Sequence, residues 1–231
     1  MNNIKASEIL ASLYLFADDR QRDALMRFFR TGPGQYGEGD KFLGLKVPVT
    51  RNIVKEAKGK VDFNEISKLL DSEWHEARLA GLLLLVEMMK KATPSPKESP
   101  MKGAEERGRI AQFYLNHARK ANNWDLVDVT CHKILGPYLL YPQTDGNLPD
   151  SHILDRLAES ENLWEQRIGI VSTLALIRVG RFDETLRIAS KLLSHTHDLI
   201  HKAVGWMLRE VGKKSQETLL QYLDLSLIHI S

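Results

Sequence analysis

Cysteine and long apolar runs are what this chain of 231 residues most conspicuously lacks. Its single thiol, Cys131, excludes a disulfide within the chain and suits a reducing cytoplasm. No apolar stretch reaches the roughly 18 residues that a membrane-spanning helix needs. The N-terminus reads as an amphipathic helix that contains acids, unlike a signal peptide. We therefore expect a cytoplasmic protein that makes no contact with a membrane.

A large charge excess and the common motifs of nucleotide enzymes are also missing. The net charge is only +2, so any surface for nucleic acid must arise from clustering. The chain has no glycine-rich phosphate loop, nucleophile elbow or cysteine–histidine nucleophile signature. His195, His197 and His201 lie close in sequence but lack a further ligand at a metal-binding spacing, and Asp198 is expected to cap the next helix. The sequence therefore predicts neither a metal nor a cofactor.

Helical periodicity, by contrast, is present almost everywhere. Apolar residues recur at three- and four-residue steps, and strand signals are nearly absent. Turn-forming residues interrupt the pattern in four segments: 30–42, 92–108, 136–150 and 179–185. We interpret them as loops within one domain covering residues 1–231, and residues 92–108 as a solvated insertion between helices.

A weak internal repeat organises these helices. Each repeat has a large apolar residue near a helix start, then polar residues, then an apolar stripe; the openings are Trp74, Trp124, Trp164 and Ile200. Such spacing is typical of helix pairs that stack into a curved solenoid. The sequence therefore predicts an all-α, HEAT- or armadillo-like α-solenoid of stacked antiparallel helix pairs with a concave inner face.

The segment ANNWDLVD places a carboxylate beside a large aromatic. Trp124 and Asp128 are four residues apart and share one helical face. Asp125 lies in the first turn of a helix capped by Asn122 or Asn123, where an acid favours the helix dipole. Asp128 lies a turn further in and needs a cation. That cation is either an arginine of another helix or a transient charge on a substrate.

Arg167, ahead of an apolar stripe, has two interpretations. It is either a structural partner for Glu165 or Asp128, or a bidentate clamp on a phosphate next to a reacting nucleotide. Both interpretations remain open at this point.

A second stripe lies in HKAVGWMLREVGKK. Its members are Lys202, Trp206, Arg209 and Lys213, separated by four, three and four residues. One interpretation is a phosphate-contacting face with an aromatic aimed at a sugar or base. The other is an indole covering the core edge among solvated cations.

These motifs occur in a recognisable order. FLGLKVPVTR, WHEAR, NNWDLVD, LWEQRIGI and HKAVGWMLREVGK resemble those of the AlkD-like alkylpurine DNA glycosylases, a family built from HEAT-like repeats. The resemblance runs from about residue 40 to about residue 223. It implies a concave basic face that grips duplex DNA, and hydrolysis of the N-glycosidic bond of positively charged N3- or N7-alkylated purines. It also implies that the damaged base stays stacked, whereas most glycosylases flip it out.

The resemblance assigns roles to individual residues. The carboxylate of Asp128 would stabilise an oxocarbenium-like sugar and position water. Trp124 and Trp206 would line the deoxyribose of the lesion, and Arg167 would contact the backbone nearby. The cations of the second stripe would bind flanking DNA; they are Lys202, Arg209 and Lys213.

Two further functions compete with this one. A HEAT-like protein can recognise DNA structure without chemistry, or serve as a protein–protein scaffold; the cationic stripe argues against the scaffold. We expect a monomer, because repeat stacking accounts for the apolar stripes. The resemblance also implies a further helical unit after YLDLSLIHIS, so we expect a truncated C-terminus in which Leu225–Ser231 is non-native.

Overall fold

The computed structural model describes the backbone of residues 3–230 and the side chains of residues 3–224. Leu225–Ser231, expected to be non-native, therefore lies outside the residues whose side chains are described. The helices in chain order are α1 Ala6–Tyr14, α2 Asp19–Phe28, α3 Val47–Ala57, α4 Phe63–Leu70, α5 His75–Ala92, α6 Ala104–Asn116, α7 Trp124–Asp128, α8 Cys131–Leu140, α9 Ile153–Ala158, α10 Leu163–Ser172, α11 Leu174–Arg178, α12 Asp183–Leu192, α13 Asp198–Lys214 and α14 Gln216–Ile230.

The helices pack in pairs that form two layers. The outer helices α4, α6, α9 and α12 pack against α5, α8, α10 and α13, respectively. Neighbouring inner helices also contact one another, α5 with α7 and α8, these two with α10, and α10 with α13. The prediction of an all-α solenoid is confirmed. No helix in the described part of the chain combines the length and the apolar character that a bilayer crossing requires.

The repeat openings coincide with the starts of inner helices. Trp74 immediately precedes α5, Trp124 begins α7, and Trp164 and Ile200 lie in the first turns of α10 and α13. The periodicity of the sequence therefore predicts the positions at which these helices begin. The starts of α7, α10 and α13 lie close together, because Arg167 of α10 contacts both Asp128 of α7 and Leu199 of α13.

Side-chain caps fix where three inner helices begin. Asn123 accepts a hydrogen bond from the backbone N–H of Trp124 at 2.9 Å, and Asn162 accepts one from that of Trp164 at 3.0 Å. In α13 the cap is the ring of His197, because the Leu199 N–H donates to its Nδ1 at 3.1 Å. The expectation that Asp198 would cap this helix is wrong, since it is the first helical residue.

Apolar stripes of the inner helices form one continuous core. On α13, Ala203, Val204 and Met207 are buried and Leu208 packs against the core. These four residues form an apolar stripe on the side of the helix opposite Lys202. The helix therefore buries one side and leaves its cationic side exposed.

The segment 92–108 connects α5 with α6, and residues 95–102 are mostly exposed, as expected for a solvated insertion. The end of the segment differs from the prediction. Helix α6 already begins at Ala104, and Arg107 within it is fully buried. The Arg107 guanidinium donates to backbone carbonyls from both sides of the loop and from a later turn. Those carbonyls belong to Ala92 (3.0 Å), Lys102, Pro100 (3.1 Å) and Pro142 (2.9 Å). A buried arginine, which a charge pattern does not reveal, holds the proline-rich loop against the fold.

Replacing Arg107 with Met should destabilise the protein by about 3 kcal/mol, because several carbonyls lose a charged donor. Urea unfolding measures the change. Arg109→Met is the matched control: Arg109 is exposed on the same helix and pairs with Glu106 at 3.2 Å, so its loss should cost less than about 1 kcal/mol. Equal effects of the two substitutions would contradict the anchoring role.

Candidate functional site

A cleft of about 680 Å³ opens beside the N-terminal ends of the inner helices. One wall comes from the end of α2 and the loop after it, and the other from α7, α10 and α13. The lining side chains that carry aromatic or charged groups include Phe28, Arg30, Tyr36, Trp124, Asp128, Arg167 and Lys202. Four of the seven site residues expected from the sequence thus meet in one cleft.

Asp128 and Arg167 form a bidentate ion pair in this cleft. Arg167 Nε donates to Asp128 Oδ1 at 2.8 Å, and Arg167 Nη2 donates to Oδ2 at 2.7 Å. The side chains are only 6% and 16% exposed for Arg167 and Asp128. Arg167 Nη1 also donates to the carbonyl of Leu199. Of the two interpretations of Arg167, the structural partner of Asp128 is the one observed.

The electrostatics of Asp128 are set by burial and by this arginine. Burial raises the pKa of the Asp128 carboxyl above its usual value, and Arg167 offsets part of that rise. The nearby Asp125 adds a smaller upward contribution to the pKa. Arg167 is therefore the group that favours the ionised carboxylate.

Trp124 is held in place from the opposite wall. Its Nε1 donates to the Tyr36 hydroxyl at 3.3 Å, and its ring lies against Phe28 and Phe29 at centroid distances of 5.9 and 5.3 Å. Edge-on and tilted contacts of this kind stabilise aromatic clusters. The indole is thus fixed between the loop after α2 and the helix that carries Asp128.

A buried charged network lies directly beneath the start of α7. His75 bonds Asp40 through Nδ1 at 2.8 Å and Asp125 through Nε2 at 2.9 Å. Asp40 also accepts hydrogen bonds from Arg78 and, at 3.3 Å, from Asn123. Asp125, expected from the sequence to serve the helix dipole, therefore also ties α7 to α5 and to the segment before α3.

The adjacent Glu76 anchors the same N-terminal segment. Its carboxylate accepts from the backbone N–H groups of Leu43 (2.9 Å), Gly44 (2.9 Å) and Leu45 (3.0 Å). Gly44 has φ +95°, and a Cβ there would lie 2.1 Å from the carbonyl oxygen of Asp18. The motifs FLGL and WHEAR, which are far apart in sequence, thus form one joint.

His75 is charged over an unusually wide pH range. Burial works against its protonation, but Asp125 and Asp40 outweigh that effect and raise its pKa from 6.5 to about 9. Burial also works against ionisation of Asp40, yet His75 and Arg78 bring its pKa below the usual value. The network is therefore two carboxylates balanced by an imidazolium and a guanidinium.

The rest of the predicted stripe lies along α13, beyond the cleft. Lys202 lines the cleft and pairs with Asp198 at 2.6 Å. Trp206, one turn further on, is half-buried and does not line the cleft. Arg209 and Lys213 are exposed, and Lys213 pairs with Glu210 at 2.7 Å. Trp206 and these two cations are therefore separate from the group around Asp128.

Three lining residues were missed by sequence reasoning, namely Phe28, Arg30 and Tyr36. They lie in or beside segment 30–42, which the turn-formers mark only as a break. The available signal was an arginine and a tyrosine interleaved with glycines between two helices. Glycines permit the tight turns that bring such a loop over another element.

A second, basic groove lies on α3, α5, α8 and α11, away from the cleft. Its two hollows, of about 280 and 550 Å³, share Val86 and Lys90. The cations lining it without an ion-pair partner among the described residues are Arg51, Lys55, Lys90, Lys133 and Arg178. Burial lowers the pKa of Lys133, and repulsion from Arg51 and Arg178 lowers it further. The basic cluster that the net charge did not reveal is present here.

The histidines near α13 serve the backbone. His195 Nδ1 accepts from the N–H of His197 at 3.0 Å, and His197 in turn caps α13. Among the described residues, no three His, Cys, Asp or Glu side chains form a group that could hold a metal ion.

Comparison with known proteins places the chain in a family. The family model for DNA alkylation repair enzymes matches residues 9–229. The chain belongs to this family. The match begins well before residue 40, where the motif resemblance starts, and therefore includes α2 and the loop that forms one wall of the cleft. Membership assigns the chain to the enzymes of DNA alkylation repair, with DNA as the substrate.

A solved structure agrees at the level of the fold. A predicted DNA alkylation repair enzyme from Enterococcus faecalis superposes with a TM-score of 0.60 at 16% identity, over 90% of this chain and 88% of that one. A comparison with curated protein sequences found no match.

The raised pKa of His75 makes stability depend on pH. Protonated His75 should contribute about 3 kcal/mol below its unfolded pKa of 6.5, and this contribution should fade as the pH rises through about 9. Asp125→Asn should lower the His75 pKa and flatten this dependence. Histidine NMR titration and urea unfolding across that range measure both effects.

The matched control is Asp150→Asn, because Asp150 pairs with the exposed His152 at 2.7 Å. That exposed pair should leave the pH dependence of stability unchanged. A His75 pKa near 6.5 in the wild type would rule out the charged network.

Proposed function

We propose that this protein is a DNA glycosylase that hydrolyses the N-glycosidic bond of positively charged N3- or N7-alkylated purines in duplex DNA. The observation that carries the proposal is the carboxylate of Asp128, held by Arg167 beside Trp124 on the wall of an open cleft. Membership in the DNA alkylation repair family supports it. The protein acts in the cytoplasm as a monomer, with no cofactor.

The chemistry asks little of the protein beyond a fixed negative charge. An alkylated purine already carries a positive charge, so it leaves without a strong general acid. As the bond breaks, the sugar becomes oxocarbenium-like and the carboxylate of Asp128 stabilises it and positions the attacking water. This stabilisation appears only as charge develops, so it lowers the barrier instead of tightening substrate binding.

Arg167 has a positioning role in this mechanism. Each of its guanidinium nitrogens donates one hydrogen bond within the protein, which leaves a second N–H on each terminal nitrogen. Because Arg167 lines the cleft, those groups are available to the DNA backbone next to the lesion. It orients Asp128 first and contacts a phosphate second.

The two tryptophans contact the deoxyribose of the lesion. Trp124 lines the cleft directly, whereas Trp206 lies one helical turn beyond Lys202 on the same face of α13. DNA lying along α13 reaches both indoles. The damaged base stays stacked in the duplex, because the chemistry takes place at the sugar. The protein approaches this sugar from a groove of the DNA.

The basic groove binds the phosphate backbone of the duplex. The unpaired cations of this groove contact phosphates, together with Arg209 and Lys213 on α13. A net charge of +2 suffices because the basic groove concentrates five unpaired cations on one surface. This surface is the concave DNA-binding face.

One observation favours a second candidate, a non-catalytic protein that recognises DNA structure. Both carboxylate oxygens of Asp128 are engaged by Arg167, as they would be in a purely structural ion pair. That protein would bind DNA with steep salt dependence and release no base.

Asp128→Asn separates the two candidates. On the glycosylase proposal, the single-turnover rate of 7-methylguanine release from methylated duplex DNA should fall by at least about a hundredfold, because the developing sugar cation loses its counter-charge. DNA affinity should change little at a temperature where circular dichroism shows that the variant is folded, since loss of the ion pair also lowers stability. Asp198→Asn, which removes an exposed carboxylate of the same cleft, is the control and should retain the rate. Excision by Asp128→Asn near the wild-type rate would refute the mechanism.

The double substitution Lys133→Ala and Arg178→Ala tests the basic groove. Losing two phosphate contacts should reduce the slope of log affinity against log salt by about 2, uniformly across DNA sequences. Fluorescence anisotropy with labelled duplex measures the slope. Lys97→Ala, an exposed lysine in the loop before α6, is the control and should leave the slope unchanged. An unchanged slope in the double variant would place the DNA elsewhere.

A further inference from the structure

All but one of the charged side chains that line the cleft form ion pairs with one another. Asp128 is paired with Arg167, and Asp198 is paired with Lys202 at 2.6 Å. Arg30 is the remaining charged residue of the lining, and it forms no ion pair with an acid in the described part of the chain. The cleft therefore carries an unbalanced positive charge at its mouth.

Within this loop, the acid nearest in sequence to Arg30 already accepts another hydrogen bond. Glu38 accepts a hydrogen bond from the backbone N–H of Gly34 at 2.8 Å, which closes the turn of the loop. Arg30 itself is exposed, at the end of α2 and close to Phe28, an aromatic side chain that is 63% exposed on the same wall. An exposed aromatic and an unpaired arginine side by side are features of nucleic-acid contacts.

The backbone of Arg30 is held in a conformation that most residues avoid. Its φ is +52°, and it is the only non-glycine with positive φ among the described residues. The Gly37 N–H donates to the Arg30 carbonyl at 3.2 Å. A Cβ at Gly37 would lie 2.4 Å from the carbonyl oxygen of Phe29, so only glycine permits this closure. The loop therefore fixes the direction in which Arg30 leaves the backbone, at a cost in strain.

We propose that Arg30 is a phosphate-binding residue of the cleft, which anchors a backbone phosphate of the DNA strand that carries the lesion. This inference rests on the proposed function and extends it to the loop between α2 and α3. Arg30 approaches from the wall opposite Asp128, so the reacting sugar lies between a phosphate anchor on one side and the carboxylate on the other. A guanidinium suits this task because it binds phosphate through two parallel hydrogen bonds.

Two substitutions remove the cation without straining the loop. Glycine and asparagine both tolerate the left-handed conformation, so Arg30→Gly and Arg30→Asn should keep or raise the melting temperature. Both should weaken binding of a lesion-containing duplex by about tenfold at low salt, and reduce the salt slope by about 1. Arg30→Lys keeps the charge and should retain most of the affinity.

The matched control is Arg27→Ala, an exposed arginine on α2 that does not line the cleft. Its affinity and salt slope should equal those of the wild type. Replacing chloride by phosphate at equal ionic strength tests which ligand Arg30 binds. If Arg30 anchors DNA, the affinity of the wild type for duplex should be the same in both buffers. If Arg30 is a site for free phosphate, phosphate should occupy it and the affinity for duplex should fall.

The outcomes separate this inference from the proposed function. Wild-type affinity and slope in both Arg30→Gly and Arg30→Asn would overturn the role of Arg30, while excision that depends on Asp128 would still stand. A wild type that binds no duplex at all would overturn both proposals. A drop in affinity matched by an equal drop for Arg27→Ala would also count against Arg30, because it would indicate general electrostatics only.

Discussion

The ion pair between Asp128 and Arg167 is the interaction on which the candidate site depends. It joins α7 to α10, and through the carbonyl of Leu199 it also reaches α13, so three successive repeats are held in register at one point. Both side chains are largely buried, and removing either partner leaves an uncompensated charge that typically costs about 3–5 kcal/mol. Burial raises the pKa of the Asp128 carboxyl, and Arg167 offsets part of that rise. The arginine therefore favours the ionised carboxylate and holds it in a fixed position, which is what a counter-charge for a developing cation requires.

A second joint determines what lies opposite this pair. Residues 74–78 hold the segment before α3 mainly by side chains: His75 and Arg78 through Asp40, and Glu76 through three backbone N–H groups. One backbone hydrogen bond, from the His75 N–H to the Lys41 carbonyl at 2.8 Å, joins the same segments. The same His75 reaches Asp125 in α7. One short motif thus fixes the distance between the N-terminal wall of the cleft and the helix that carries Trp124 and Asp128. The stacking of repeats alone does not specify this distance, because the N-terminal wall is not part of a repeat.

Most of the fold could be predicted from hydrophobic periodicity, and part of the site from the spacing of residues within one helix. The helix starts near Trp74, Trp124, Trp164 and Ile200 follow from the pattern, because helices bury one face and the pattern records that face. The shared face of Trp124 and Asp128 follows for the same reason. The partner of Asp128 stayed open, since the two residues are 39 positions apart and no rule of spacing connects them. Tyr36, 88 positions from Trp124, was missed for the same reason, and Arg107 because a buried arginine that binds carbonyls has no sequence signature. Helix positions depend on residues close in sequence and can be predicted from it. Contacts between repeats join residues far apart in sequence and become visible only in the folded structure.

The distribution of charge explains how a nearly neutral chain can serve a polyanion. Many acids of this protein pair with neighbouring cations on the surface, as Glu210 does with Lys213, and such pairs contribute little to the field beyond a Debye length. Five unpaired cations are gathered in the basic groove, and the unpaired Arg30 lies in the cleft. In the cleft itself, Arg167 cancels the charge of Asp128 as seen by an approaching phosphate, which a bare carboxylate would repel. On the proposed mechanism the sugar lies beside the carboxylate of Asp128, which stabilises the positive charge that develops there. On the proposed mechanism, one ion pair therefore allows the DNA backbone to bind and reserves its stabilisation for the transition state.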